Sequence, residues 1–230
     1  MRRRRAAALD DIWASLPQFT AASGQLYMAG KQLQLKGVSW FGAEGVGMVP
    51  DGLWAHNASY YFQFLTKNGF NAVRIPFALD NVVANRQPDA KMLRSAPELQ
   101  GLRYLDILER ICDYAAMHGM LVLLDLHRLD SATWPDPGLW YSRDVDLSTV
   151  QEIWGQMAER FCHRWNTLGA DLFNEPHGAK WTDWVKAATS LGNSVLSKCP
   201  RWLVFVEGVA HEGTKDTAVT RAATSTMLCW

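Results

Sequence analysis

Short apolar runs rich in Val, Leu and Phe alternate along this chain with longer segments whose apolar residues recur every three to four positions. Side chains alternate faces every second residue in a strand and line one face about every 3.6 residues in a helix, so the pattern reads strand, helix, strand, helix. The strands fall at 33–40, 71–77, 120–127, 169–175 and 202–208, and the helices at 57–67, 102–118, 148–165 and 181–197. Strands alternating with helices of this length build βαβ units and a parallel sheet, so the chain is an α/β protein.

Each helix has its own stripe. Leu105, Leu108, Ile111, Cys112 and Ala115 line the second, and Gly119 follows as a stop. Ile153, Trp154, Met157, Phe161, Cys162 and Trp165 line the third, with Thr149 and Glu152 at capping-box spacing. Trp184, Val185, Ala188, Leu191 and Val195 line the fourth. These stripes read as core faces. Ahead of the first unit, Leu26-Tyr27-Met28 and Leu33-Gln34-Leu35 flank Ala29-Gly30-Lys31 as a small hairpin suited to plug one end of a barrel.

Composition removes several function classes. Lys+Arg and Asp+Glu are both 23, and a balanced charge argues against a nucleic-acid binder, which carries a basic face. No apolar run approaches the roughly 18 residues that cross a bilayer. Cys112, Cys162, Cys199 and Cys229 form no C-x-x-C pair, so no metal site is expected, and Cys112 and Cys162 read as buried free thiols. Met1 to Ala8 starts like a signal peptide, but Asp10 and Asp11 interrupt any apolar stretch. There are 11 Trp, more than a core of this size needs.

Polar and aromatic residues gather where each strand stops. The strands end at Trp40, at Arg74-Ile75-Pro76, at Asp125-Leu126-His127, at Asn174-Glu175-Pro176 and at Glu207-Gly208. Active sites of parallel barrels lie at the C-terminal ends of their strands. Each residue also has a structural reading: Arg74 as the buried partner of Asp125 or Glu207, and His127 as a satisfied core histidine. Asn174-Glu175-Pro176 is harder to explain structurally. A Glu before Pro is held extended, and an Asn beside it costs strand propensity while supplying a donor for a ligand hydroxyl. A carboxyl in a partly apolar mouth is raised in pKa, which suits a general acid.

These segments together resemble glycoside hydrolase family 5, and within it the bacterial-type endo-β-1,4-glucanases. Leu35–Gly45, Ala72–Phe77, Leu123–Arg128, Leu172–Gly178 and Phe205–Val209 are similar to the family's first five strands in order and spacing, and Gly138–Ser142 looks like its loop after strand three. The resemblance implies a (β/α)₈ barrel and retaining hydrolysis of a β-1,4-glucan, with no cofactor. It implies Glu175 as acid/base, Asn174 bonding the 2-hydroxyl of the sugar, and Arg74 and His127 holding nucleophile and sugar. Pyranose rings stack on flat aromatics, so Trp40, Trp134, Trp140 and Trp181 become substrate platforms, with His177 beside them. The partner is then a polysaccharide or oligosaccharide, with no nucleic acid and no membrane. Trp154, Trp165, Trp184 and Trp202 lie inside elements and read as core.

The chain also departs from the family pattern. The family carries a His-x-Tyr on strand six, a nucleophilic Glu on strand seven and a Trp on strand eight, and this sequence shows none of them. Trp230 follows Glu207 too soon for three more units of about 30 residues each. The expected organisation is an extension at 1–24, a partial barrel at 25–212 truncated after its fifth strand, and a tail at 213–230 outside the family, from a truncation, frameshift or unspliced intron. Such a chain is expected to lack retaining activity. The alternatives are a carbohydrate-binding pseudoenzyme and a hydrolase of mannan, xyloglucan or glycosylceramide.

Overall fold

The structure is a computed structural model, and it describes residues 16–209 and the backbone of 227–229. The readings made on Met1 to Asp11 and on 213–226 lie outside the described residues. Three short strands, β1 (Phe19–Ala22), β2 (Gln25–Met28) and β3 (Lys31–Leu33), form an antiparallel sheet in that order. The larger sheet holds β4 (Gly37–Ser39), β5 (Ala72–Ala78), β6 (Leu121–Arg128), β7 (Thr167–Asp171), β8 (Leu203–Val206) and β9 (Met227–Cys229), all parallel and in sequence order. Between them run α1 (Ala58–Lys67), α2 (Leu79–Ala84), α3 (Tyr104–Met117), α4 (Leu147–Phe161) and α5 (Trp181–Lys198). No described helix is long and apolar enough to cross a membrane.

The alternation read from the sequence is therefore present, with corrections at the boundaries. The first strand expected at 33–40 is two strands, because residues through Leu33 pair with the hairpin and only Gly37–Ser39 pair with β5. β1 lies inside the stretch expected as an N-terminal extension. α4 starts on Asp146, whose carboxylate accepts the Thr149 N–H at 2.8 Å, so the cap sits three residues before the expected capping box. The same helix ends at Phe161, and Trp165 beyond it is 36% exposed rather than core. A sixth strand, β9, pairs with β8 where the sequence showed no period.

Strand alternation divides the apolar residues between two faces. Val73, Ile75 and Phe77 of β5, Val122, Leu124 and Leu126 of β6, and Val204 and Val206 of β8 pack under the helices. Ala72, Leu121, Leu123, Leu203 and Phe205 face the other way, against Phe19, Leu26, Met28 and Leu33 of the three-stranded sheet. The hairpin thus covers the inner face where the parallel strands begin. Gly169 in β7 lets that strand close on β8, because a Cβ there would meet the Leu203 carbonyl oxygen at 2.0 Å.

Arg201 secures the hairpin end. Its side chain is buried and donates to the carbonyls of Pro17, Cys162, Trp165 and Thr167, with the guanidinium 5.1 Å from the centre of the Phe19 ring. Burial lowers its pKa to about 10. Nearby, Cys162 and Cys199 form a disulfide between the ends of α4 and α5. This corrects the free-thiol reading of Cys162. The two positions are 37 residues apart in sequence and meet because the parallel sheet sets α4 and α5 side by side with their C-terminal ends together. Cys112 is free and buried, and burial pushes its thiol up to about 12.

Candidate active site

Along the inner face, steps of two residues change the chemistry. Leu121 and Leu123 give way to Asp125 and His127 on β6, Leu203 and Phe205 to Glu207 after β8, and Ala72 to Arg74 on β5. The apolar half lies under the hairpin and the charged half at the C-terminal strand ends. β-pairing aligns Asp125 with Asp171 across β6 and β7, which places two carboxylates beside one arginine.

Arg74 is the hub. Its Nη1 lies 3.0 Å from Asp125 Oδ2, its Nε donates to Asp171 Oδ2 at 2.8 Å, and its Nη2 donates to Glu207 Oε1 and Asn174 Oδ1, both at 2.9 Å. Burial alone would lower its pKa, but the three carboxylates outweigh burial and raise it. Asp125 and Asp171 are both pushed well above the usual 3.8, chiefly by burial, because one guanidinium shared among three carboxylates does not offset their desolvation. His127 Nδ1 sits 2.7 Å from Asp125 Oδ2, and burial lowers the His127 pKa. A single shared proton satisfies that contact.

Glu175 stands at the rim. It is exposed, so the described residues do not enclose its carboxyl in the apolar mouth expected from the sequence. Its backbone is also not extended: φ is +42°, in the left-handed region. β7 ends at Asp171, so Asn174 and Glu175 lie in the turn beyond the strand rather than on it. Tertiary bonds override the preference of a residue before Pro. The Glu175 N–H donates to Glu207 Oε2 at 2.9 Å, and His177 Nδ1 lies 2.7 Å from the Glu175 carbonyl oxygen.

Arg74, His127, Asn174 and Glu175 are therefore linked into one network, directly or through Asp125 and Glu207. His177 supports that network from behind, with its Nε2 3.2 Å from the Asp136 carbonyl and its ring against Gly138. The expected aromatic platforms separate. Trp134 is 78% exposed with the Arg128 guanidinium 5.3 Å from its ring. Trp40 is half-buried, its indole donating to the Asp51 carbonyl at 2.8 Å. Trp181 is half-buried at the head of α5, against the helix-side core. Trp140 corrects the expectation: it is 4% exposed with its ring 4.8 Å from Trp184, so it offers no free face to a sugar. Asp171 was not singled out in the sequence, although an acidic residue inside an otherwise apolar strand was the available signal.

Residues 26–226 match the family described as Cellulase (glycosyl hydrolase family 5). The chain belongs to glycosyl hydrolase family 5. It is 38% identical over 196 residues to the "Major extracellular endoglucanase" of Xanthomonas campestris, covering 82% of this chain and 40% of that one. An "Endoglucanase" of Paenibacillus polymyxa is 34% identical over 190 residues, covering 80% of this chain and 47% of that one. Among solved structures, an endocellulase of Pyrococcus horikoshii in complex with cellotetraose superposes with a TM-score of 0.78 at 34% identity, over 84% of this chain and 57% of that one. The catalytic domain of the Xanthomonas enzyme superposes with a TM-score of 0.73 at 34% identity, over 86% and 58%. This chain thus spans about half the length of the curated relatives it matches. Its parallel sheet and flanking helices are βα units of the TIM barrel of these family 5 enzymes. Among the described residues no group of three or more His, Cys, Asp or Glu is arranged to hold a metal ion.

Proposed function

We propose that this chain carries the acid/base half of a retaining β-1,4-glucan hydrolase site. The observation that supports this most is the placement of Asn174 and Glu175 at the C-terminal strand ends, over the Arg74 network, in a family 5 chain. Glu175 would protonate the leaving glycosidic oxygen and later take the proton from the attacking water. Its exposure at the rim leaves it free to reach a bound glycan. Asn174 has its carbonyl oxygen taken by Arg74, which leaves its amide N–H groups for a sugar hydroxyl. His127 and Arg74 would orient the groups around the scissile bond. Trp40, Trp134 and Trp181 would stack pyranose rings on the approach, while His177 and Trp140 act from behind.

Retaining hydrolysis needs a second carboxylate about 5–5.5 Å from the first. Glu207 is the candidate by strand position, but one of its oxygens faces Arg74 and the other accepts the Glu175 N–H. Both of its oxygens are thus already engaged as acceptors within the protein. The described residues therefore supply the acid/base and the sugar-orienting groups, and the proposal assigns the nucleophile to none of them. The Cys162–Cys199 disulfide suits an oxidising compartment, so the proposal places the protein's work outside a reducing cytosol.

The test runs the chain through a native gel containing soluble β-1,4-glucan and measures reducing ends released from the same glucan. Retardation without release is expected. Absence of retardation would remove the glucan reading. Release that disappears in Glu175→Gln would keep the acid/base assignment and overturn the account of the nucleophile.

A further inference from the structure

We infer that Glu207 is a positioning residue that sets the direction of the Glu175 carboxyl by holding its backbone, an inference that rests on the acid/base reading of Glu175. Glu175 is a non-glycine residue before a proline, yet its φ is +42°. Such a backbone is strained and persists only where the surroundings over-determine it. Two contacts hold this one. Glu207 Oε2 accepts the Glu175 N–H at 2.9 Å, and His177 approaches the Glu175 carbonyl oxygen at 2.7 Å. The peptide on one side and the carbonyl on the other are fixed, so the Cα–Cβ direction is fixed between them.

Glu207 is itself held. Its Oε1 accepts from Arg74 Nη2 at 2.9 Å, and its backbone carbonyl accepts the Trp184 indole N–H at 2.8 Å. The same Arg74 nitrogen also holds Asn174. One guanidinium therefore sets both the amide that meets the sugar and, through Glu207, the residue that protonates it. His177 has its own seat. Gly138 has φ +68°, and a Cβ there would meet His177 Nδ1 at 2.1 Å. A side chain at 138 would push the imidazole off the Glu175 carbonyl. The network thus spends Glu207 on orientation, which is why a carboxylate so near Glu175 is unavailable for attack.

The experiment compares backbone amide exchange in the full chain with that in Glu207→Leu and Glu207→Gln. Glu175 is read against Asn174, whose amide donates to the Leu126 carbonyl and not to Glu207. In Glu207→Leu the Glu175 amide is expected to exchange on the order of tenfold faster or more, with Asn174 unchanged. Glu207→Gln keeps an acceptor oxygen and is expected to fall between, a rescue that a packing role would not give. Unchanged exchange at Glu175 overturns the inference. So does an equal rise at Glu175 and Asn174, which would mean that Glu207 only stabilises the strand end. Should Glu207→Leu fail to fold, Glu207→Gln decides on the same criterion. Cellotetraose added to the wild-type chain reports separately on the glucan reading: binding can fail while the Glu175 exchange result stands, so the two ideas fail apart.

Discussion

Two arginines, Arg201 fully buried and Arg74 half-buried, show how one kind of side chain serves two purposes. Arg201, at the hairpin end, donates to four backbone carbonyls and to no carboxylate among the described residues. Its pKa falls, because burial acts alone. Arg74, at the opposite end, meets Asp125, Asp171 and Glu207, and its pKa rises. Partners that cannot ionise give a lock. Partners that can ionise give a site whose protons are set by their neighbours. In parallel barrels the N-terminal strand ends serve stability and the C-terminal ends serve chemistry, and the two arginines fall on either side of that division.

Breaking the charged end has the largest expected effect. Arg74→Leu leaves Asp125 and Asp171 buried without a counter-charge, and removing one partner of a buried ion pair costs about 3–5 kcal/mol. Urea unfolding at neutral pH should show that loss, and the loss should shrink as pH is lowered toward 4, because the raised carboxyls take up protons on the way. An equal loss at both pH values would mean that Arg74 acts through packing.

The opposite end is tested by Arg201→Met, which leaves four carbonyls without their donor, those of Cys162 and Thr167 buried. About 2–3 kcal/mol is expected, at the level of an unsatisfied buried group. Proteolysis should then reach Phe19–Leu33 first, while glucan retardation of the folded fraction stays as in the wild type. Loss of retardation in this variant would dissolve the distinction between the ends.

The pH dependence sharpens the comparison further. Asp125 and Asp171 have folded pKa values above the usual 3.8 of the unfolded chain. Their contribution is fully present below that value and is lost as pH rises through the folded values. Stability carried by these two groups therefore falls as pH rises from about 4. Asp171→Asn removes one titrating group and should flatten that fall, by about 1 kcal/mol or more for each pKa unit removed. A slope unchanged by the substitution would contradict the assignment of Asp171 to the Arg74 cluster.

The smallest effect is at the rim. Trp134 is 78% exposed, so Trp134→Ala should change stability by less than about 0.5 kcal/mol. Its affinity for soluble β-glucan should fall about fivefold, near 1 kcal/mol. Unchanged affinity would take Trp134 out of the binding path.

The sequence made the strand ends legible because polarity there breaks an apolar period. Arg74, His127, Asn174 and Glu175 all stood out in that way, and the structure joins them, although β5 runs on to Ala78 and Arg74 lies inside the strand rather than at its end. The hairpin was legible from Ala29-Gly30-Lys31 between two apolar runs. What stayed hidden depends on long-range contact. The left-handed turn at Glu175 is imposed by Glu207 and His177, against the local preference set by Pro176. The Cys162–Cys199 bond joins residues 37 apart with no spacing rule to reveal them. Trp140 and Trp134 sit in one loop and read alike, yet one ring packs on Trp184 and the other faces solvent. Loop sequence does not encode which way a ring turns until the helix beneath it is placed.

The division between the ends is tested most directly by mapping bound cellotetraose on the chain through its backbone and indole NMR signals. The account predicts that Asn174, Glu175 and the Trp40 indole shift on titration while Phe19–Leu33 stays still. Shifts confined to the hairpin, or none at the Arg74 end at saturating sugar, would contradict it.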